Sequence, residues 1–212
     1  MAKVKICGIK DPDMVAFVAR EGADWIGFNF IPQSPRHVTM AAAETLLLSV
    51  GDARPVALLA DPTIEDALAV AALGFPVLQL HGRETPARVA EIHTVTGCEI
   101  WKALGVSTKA DLELAAAYDD AGRLLIDAKP PGGADQAGGH GQAFDWAILE
   151  GWAAPKPWLL AGGLTPENVA GAIRQTGTDA VDVSSGVERI RGLKDRELVR
   201  AFIRAAKASE QP

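Results

Sequence analysis

The 212-residue chain lacks the features that mark several large classes of protein. Its two cysteines, Cys7 and Cys98, are too few and too far apart to predict a disulfide scaffold. No group of cysteine and histidine residues has the spacing of metal ligands, so no metal site is predicted. No apolar run approaches the roughly 20 residues of a membrane-spanning helix, and Met1-Ala2-Lys3 leads into a strand-like run rather than a signal peptide. These absences predict a cytoplasmic protein without a membrane partner.

Positive charge is also in deficit. The 21 lysine and arginine residues face 27 aspartate and glutamate residues, which gives a net charge of −6. Because nucleic acid is bound by basic surfaces, this balance argues against a nucleic-acid partner. It leaves room for a small anionic substrate, since cations can be concentrated locally. Hydrophobic residues make up 48% of the chain, enough for the core of a single domain over residues 1–212.

Short β-like runs alternate with helical segments along the chain. The predicted strands are Val4–Cys7, Trp25–Phe30, Pro55–Ala60, Val77–His81, Glu99–Leu104, Arg123–Asp127, Trp158–Ala161 and Ala180–Val183. The predicted helices are Pro12–Glu21, Ala41–Val50, Ile64–Leu73, Pro86–Thr96, Thr108–Tyr118, Phe144–Leu149, Pro166–Gln175 and Lys194–Lys207. Eight such repeats favour an α/β fold with a parallel sheet closed into a (β/α)8 TIM barrel. The alternative, an open doubly wound sheet, usually carries a G-x-G-x-x-G fingerprint after its first strand, and Cys7-Gly8-Ile9-Lys10 lacks it.

Two turns near the C-terminus carry the strongest functional signal. Gly162-Gly163 follows the seventh predicted strand, and Ser184-Ser185-Gly186 follows the eighth. Glycine lets the backbone approach a ligand closely, and a helix start leaves N–H groups without partners. In a (β/α)8 barrel the loops after strands seven and eight are the usual phosphate site. Each turn alone is compatible with a simple connection, but together they predict a phosphorylated ligand.

Three polar residues end predicted strands, where the active sites of such barrels lie. Cys7 ends strand one, His81 ends strand four and Asp127 ends strand six. Each has a structural alternative, because a cysteine can fill space and an aspartate or histidine can cap a turn. An acid and a base beside a phosphate site, with no cofactor fingerprint, favour proton transfer such as the isomerisation of a sugar phosphate.

Six segments also occur in an order typical of one enzyme family. They are Lys5-Ile6-Cys7-Gly8, then Gly27–Phe30 with Ser34-Pro35-Arg36, then Leu78–Gly82, then Gly138–Gly141 with Phe144-Asp145-Trp146, then Gly162–Val169, and Val181–Glu188 followed by Lys194-Asp195. Together they resemble the phosphoribosylanthranilate isomerase family over essentially the whole chain. The resemblance implies an aldose–ketose isomerase of tryptophan biosynthesis that needs no cofactor. Its reaction would convert N-(5-phosphoribosyl)anthranilate to 1-(2-carboxyphenylamino)-1-deoxyribulose 5-phosphate by general acid–base catalysis.

The resemblance also implies roles for particular residues. Cys7 matches the family's general base, Asp127 its general acid and Arg36 a substrate-binding arginine, while His81 is expected to bind substrate. The implied phosphate-binding residues are Gly139, Gly141, Gly162, Gly163, Ser184, Ser185 and Gly186. Two residues depart from the family pattern, since His140 stands where threonine is common and Arg191 where proline is frequent. The oligomeric state is left open as monomer or homodimer.

The charge at the mouth of the barrel, where the C-terminal ends of the strands meet, is predicted from neighbouring strands. Lys5 is expected to point into the barrel below Cys7 and to pair with Asp182, because strands one and eight are neighbours in a closed barrel. Nearby cations are expected to lower the pKa of Cys7 from about 8.5. Arg36 is expected to bind the anthranilate carboxylate with its planar fork. Two alternatives remain: another phosphate-binding barrel, such as indole-glycerol-phosphate synthase, and a non-catalytic sensor of a phosphorylated ligand.

Overall fold

Eight parallel strands form a closed barrel in chain order, which confirms the predicted (β/α)8 fold. The computed structural model describes residues 1–128 and 146–209. Its barrel strands are β1 Lys3–Cys7, β2 Trp25–Asn29, β3 Arg54–Leu59, β4 Val77–Leu80, β5 Glu99–Val106, β6 Arg123–Ala128, β7 Trp158–Ala161 and β8 Ala180–Val183. Strand β1 pairs with both β2 and β8, so the first and last barrel strands close the ring.

Seven α-helices surround the barrel in the described part of the chain. They are α1 Pro12–Arg20, α2 Met40–Leu47, α3 Ile64–Ala72, α4 Pro86–Thr96, α5 Lys109–Glu113, α6 Val169–Thr176 and α7 Arg196–Ala208. The predicted helix Phe144–Leu149 is described only at Trp146–Leu149, where it is a single 3-10 turn. The predicted helix Thr108–Tyr118 is shorter, because α5 passes into a 3-10 turn at Leu114–Ala117. No helix in these ranges is long and apolar enough to cross a membrane.

Short polar side chains set most helix starts. The side chains of five such residues accept N–H groups of the first turn: Asp11, Thr39, Thr63, Thr85 and Asp195. The predicted start of α6 at Pro166 is wrong, because the helix begins at Val169. Asn168 Oδ1 instead accepts the N–H of Thr165 at 2.7 Å, and its Nδ2 donates to the carbonyl of Gly163 at 2.9 Å. These bonds form a turn that leads directly into the helix, because the N–H of Val169 donates to the carbonyl of Thr165 at 3.1 Å.

The barrel wall separates two hydrophobic regions. A small cluster inside the barrel contains Cys7, Trp25, Val56, Leu58, Val77, Trp101, Leu159 and Ala180. A larger cluster lies between the outer face of the strands and the helices. Lys5 points inward with Cys7, as predicted, and is fully buried. Its Nζ lies 2.8 Å from Asp182 Oδ1, and the β1–β8 register places the two residues side by side, which confirms the predicted pair.

A hairpin that the sequence pattern does not predict follows β8. Its antiparallel strands are β9 Glu188–Ile190 and β10 Leu193–Lys194. The predicted helix Lys194–Lys207 therefore starts too early, because Lys194 belongs to β10. Gly192 turns the hairpin at φ +85°, and an added Cβ there would lie 3.0 Å from the carbonyl oxygen of Pro35. The hairpin thus lies directly against the loop that follows β2.

Candidate active site

The C-terminal ends of the barrel strands bring three predicted residues to one mouth. Cys7 is the last residue of β1 and belongs to the cluster inside the barrel. Asp127 lies two residues after Leu125, another inward-facing side chain of β6, so it faces the same interior. His81 follows β4 and continues the inward series of Gln79. Their common location follows from the parallel strands of the barrel.

His81 and Asp127 are in direct contact. His81 Nε2 lies 3.4 Å from Asp127 Oδ2, and the two side chains are 34% and 33% exposed. Buried Gln79 places its Nε2 3.1 Å from His81 Nδ1. With Nδ1 assigned as the acceptor, the ring proton sits on Nε2 and points at Asp127 Oδ2. Gln79 orients the imidazole, a role that its inward position two residues before His81 would have revealed in the sequence.

Cys7 is buried beside a glycine that leaves it room. An added Cβ at Gly27 would lie 3.0 Å from Cys7 Sγ. Burial raises the pKa of the Cys7 thiol, although Lys5, Lys194 and Arg36 act in the opposite direction. The expectation that nearby cations lower this pKa is therefore wrong for the net direction, because desolvation of the thiolate outweighs their attraction.

The two predicted phosphate turns touch each other. Gly162 and Gly163 adopt positive φ values of +87° and +65°. Gly186 lies so close to the carbonyl of Leu164 that an added Cβ would overlap it. Residues Ser185–Val187 form a 3-10 turn, whose first N–H groups have no intrahelical acceptor. The contact and the open N–H groups are compatible with a shared phosphate cup, whose function stays a prediction.

Ser184 connects this cup to Cys7. Its Oγ donates a hydrogen bond to the Cys7 carbonyl at 3.1 Å. Buried Lys194 donates from Nζ to the Ser184 carbonyl at 2.9 Å and to Ser184 Oγ at 3.1 Å. Burial lowers the pKa of Lys194, and its bond to Glu188 acts in the opposite direction. A cation is therefore held directly behind the second turn, at a residue for which the sequence motif alone gives no role.

Arg36 lies beside Cys7 and is held by a carboxylate. Its Nε and Nη2 donate to Glu188 Oε1 at 2.6 Å and Oε2 at 2.7 Å, and the two side chains are 17% and 3% exposed. Gly8, at φ +78°, packs on the Arg36 stem, where an added Cβ would lie 2.5 Å from Cδ. Burial of Glu188 opposes its ionisation, but hydrogen bonds from Arg36, Lys194 and Gly192 outweigh it and lower its pKa to about 2. One edge of the arginine fork is thus already occupied.

A second buried ion pair fixes the turn that carries His81. Lys102 Nζ lies 2.6 Å from Glu84 Oε2 and donates to the Gly82 carbonyl at 2.8 Å. Glu84 Oε1 accepts the N–H of Asp61 at 2.7 Å and that of Gly82 at 3.1 Å. The pair therefore ties the loop after β4 to the loop after β3. The turn at which His81 leaves β4 is therefore fixed by hydrogen bonds to the backbone of Gly82 and of Asp61.

The remaining predicted positions are not part of the geometry described above. Gly139 and Gly141 of the predicted phosphate site lie outside the described residues, as does His140 between them. Arg191 is exposed at the tip of the β9–β10 hairpin. Within the described ranges, no group of three His, Cys, Asp or Glu side chains is arranged to hold a metal ion.

The sequence and the fold match known proteins along their whole length. Residues 4–205 match the family model for N-(5'phosphoribosyl)anthranilate (PRA) isomerase. The chain is 74% identical over 212 residues to an N-(5'-phosphoribosyl)anthranilate isomerase of Hyphomonas neptunium, covering 100% of each. The phosphoribosyl anthranilate isomerase from Thermotoga maritima superimposes with a TM-score of 0.89 at 35% identity, over 98% and 99% of the two chains. A phosphoribosyl anthranilate isomerase in complex with reduced 1-(o-carboxyphenylamino)-1-deoxyribulose 5-phosphate gives 0.83 at 33% identity, over 98% and 99%.

Proposed function

The chain belongs to the N-(5'-phosphoribosyl)anthranilate isomerase family, and we propose that Cys7 and Asp127 are the base and the acid of its reaction. It converts N-(5-phosphoribosyl)anthranilate to 1-(2-carboxyphenylamino)-1-deoxyribulose 5-phosphate in tryptophan biosynthesis. The assignment of the two residues is carried by their position. Both face the barrel interior at the mouth where the turns after β7 and β8 touch.

Asp127 acts first, as a general acid. It donates a proton to the ribose ring oxygen, and the bond from that oxygen to C1′ breaks. The lone pair of the anthranilate nitrogen forms a double bond to C1′, which gives an open-chain Schiff base. His81 contacts the Asp127 carboxyl at 3.4 Å and holds it toward the substrate. A positioned general acid of this kind contributes roughly 10²–10⁴-fold to the rate.

Cys7 completes the isomerisation as a general base. Its thiolate removes the proton from C2′, and the electron pair of the broken C–H bond forms a C1′–C2′ double bond while the nitrogen becomes neutral. The resulting enolamine tautomerises, because C1′ gains a proton and the C2′ hydroxyl loses one to become the ketone. Because burial raises the pKa of Cys7, its thiolate forms at a higher pH than that of an exposed cysteine. We therefore expect kcat/KM to increase through an alkaline limb set by this thiol.

Substrate binding is divided between two anionic ends. The turns at Gly162-Gly163 and Ser184-Ser185-Gly186 bind the phosphate, and the ammonium of Lys194 behind Ser184 adds positive charge. The anthranilate carboxylate binds the edge of Arg36 that Glu188 leaves open. Holding both ends places C1′ and C2′ between acid and base, where orientation lowers the barrier.

The decisive experiment removes each proposed proton-transfer group. Cys7→Ala and Asp127→Asn should each lower kcat by about 10²–10⁴-fold, with a smaller change in KM. Turnover is followed as the loss of substrate fluorescence. Cys98→Ala is the matched control, because this second buried thiol lies at the other end of the barrel, where its Sγ donates to the carbonyl of Phe75 at 3.3 Å. Near-wild-type kcat in Cys7→Ala or Asp127→Asn would reject that residue's role.

Thiol alkylation separates the enzyme from the remaining alternative. If Cys7 is the base, alkylation of the Cys98→Ala variant should abolish turnover, because Cys7 is then the only thiol left in the chain. A chain that binds phosphate but never turns over the substrate would be a sensor. The other alternative, that the chain is an indole-glycerol-phosphate synthase, is disfavoured by the family match over residues 4–205.

The cellular setting and assembly are part of the same proposal. Residues 1–212 form one catalytic domain that acts in the cytoplasm on a small sugar phosphate, without nucleic-acid or membrane partners. Monomer and homodimer both stay predictions. Sedimentation equilibrium would distinguish the 22.3 kDa chain from a particle of twice that mass.

A further inference from the structure

Glu188 lies at the centre of a network that joins three parts of the proposed site. Its Oε1 accepts hydrogen bonds from Arg36 Nε at 2.6 Å and from Lys194 Nζ at 2.8 Å. Its Oε2 accepts from Arg36 Nη2 at 2.7 Å and from the Gly192 N–H at 3.0 Å. An ionised carboxylate has about four lone-pair sites, and four donors use them. The residue has no accepting capacity left for substrate.

The network continues from Glu188 to the proposed base. Lys194 donates to both oxygens of Ser184, and Ser184 Oγ donates to the Cys7 carbonyl. On the other side, the stem of Arg36 packs on Gly8, the residue that follows Cys7. The peptide that carries the thiol is therefore held from two directions, and both routes end at the same carboxylate.

Only a carboxylate of this length satisfies the network. Glutamine has a single accepting oxygen, and its amide N–H groups would face an arginine or lysine donor. Aspartate is one methylene shorter, so it cannot reach all four donors at these distances. Without the negative charge, the part-buried Arg36 and the buried Lys194 would also repel each other without an anion between them.

The geometry also fixes how Arg36 can meet a ligand. Glu188 holds the Nε–Nη2 edge of the guanidinium, which leaves Nη1 and the second Nη2 hydrogen as the open edge. We propose that Glu188 is a positioning residue that fixes Arg36 and Lys194 relative to each other. The carboxylate end and the phosphate end of the substrate are then bound at a fixed separation close to Cys7. The inference rests on the proposed roles of Arg36 and of the phosphate turns.

The central test is Glu188→Gln in the full-length enzyme. Because it disturbs hydrogen bonds to charged groups, it should raise KM at least about 10-fold and change kcat by a smaller factor. It should weaken competitive inhibition by anthranilate and by inorganic phosphate alike. The matched control is Glu99→Gln at the other end of the barrel. It removes the charge from an arginine–glutamate pair whose N–O distance is also 2.6 Å. This control should leave both inhibition constants and KM unchanged.

Single-end variants show whether Glu188 couples the two ends. Arg36→Ala should weaken inhibition by anthranilate alone, and Lys194→Met should weaken inhibition by phosphate alone. The double variant Arg36→Ala with Glu188→Gln should raise KM by less than the product of the two single effects. Glu188→Asp keeps the charge between the cations and so protects folding, and it should weaken both inhibitors in the same direction.

Two outcomes would overturn the proposal at different levels. If Arg36→Ala leaves KM unchanged, the proposed role of Arg36 fails and the inference fails with it. If Arg36→Ala raises KM but folded Glu188→Gln and Glu188→Asp bind both inhibitors like the wild type, only the positioning role of Glu188 is overturned. Weakened binding of one inhibitor alone would equally reject the coupling of the two ends.

Discussion

Two arginine–glutamate pairs with the same shortest N–O distance lie at opposite ends of the barrel, one bidentate and one joined by a single hydrogen bond. Arg36 and Glu188 meet at the mouth, and Arg54 and Glu99 meet where β3 and β5 begin. The shortest N–O distance is 2.6 Å in both pairs. The mouth pair is 17% and 3% exposed, whereas the other pair is 44% and 31% exposed. Distance alone therefore says little about what an ion pair does.

The onward contacts of the two pairs explain the difference. Glu99 Oε1 accepts the indole N–H of Trp101 at 2.6 Å, and Trp101 meets Trp25 edge to face. The Arg123 guanidinium lies over both rings, 5.2 Å and 5.6 Å from their centres. At this end Arg123 covers the aromatic core, and the Arg54–Glu99 pair remains in contact with water. The Glu188 carboxylate and the Lys194 ammonium at the mouth are almost fully buried, so each must be matched by another charge or hydrogen bond.

The largest expected contrast is in stability. Glu188→Ala should lower the free energy of unfolding by about 3–5 kcal/mol, because it leaves the buried Lys194 and the part-buried Arg36 without their anion. Urea denaturation of wild type and variant measures the difference. A loss below about 1 kcal/mol, typical of exposed pairs, would show that burial does not distinguish the two ends.

A second contrast depends on pH. The folded-state pKa of Glu188 is lowered to about 2 from an ordinary value of 4.5, so the unfolded chain binds this proton first as the pH falls. The stability that the charge contributes is complete above pH 4.5 and is lost between pH 4.5 and about 2. Unfolding free energies of wild type and Glu188→Gln should therefore converge over this window. A constant difference down to pH 2 would contradict the assignment.

The smallest effect is expected at the other end of the barrel. Glu99→Gln keeps an oxygen that can accept the Trp101 indole N–H and removes only the exposed charge pair. Its cost in unfolding free energy should be at most about 1 kcal/mol. When the same urea titration is repeated at high salt, the difference in unfolding free energy should become smaller, because salt screens exposed ion pairs. A larger, salt-independent cost would make the two ends alike.

Sequence reasoning reached the barrel because its signal is local and repeated. Strand and helix periodicities alternate along the chain, and closure of the ring predicts the Lys5–Asp182 pair directly. The β9–β10 hairpin was out of reach because strands of three and two residues show no periodicity. The start of α6 was missed because Asn168 Oδ1 accepts the N–H of Thr165 and Asn168 Nδ2 donates to Gly163, contacts that residue preferences alone do not predict.

For the candidate site, the sequence predicted which residues lie at the C-terminal ends of strands, but not the contacts between them. Parallel strands place Cys7, His81 and Asp127 at one mouth without further information. The pKa of Cys7 depends on how completely the thiol is buried, which no local pattern reports. The bond from Arg36 to Glu188 joins residues 152 positions apart, so it emerges only from the folded chain.

Closure of the ring also dictates the order in which a working enzyme can arise during synthesis. The bonds from Lys5 to Asp182 and from Ser184 to Cys7 each span 177 positions. The strand that carries the thiol leaves the ribosome first, whereas Asp182, Ser184 and Lys194 leave near the end of synthesis. Contacts of such long range form slowly. Catalytic activity should therefore appear only late in folding. A chain that stops before the β9–β10 hairpin would contain Cys7 and Asp127 but would lack Glu188 and Lys194.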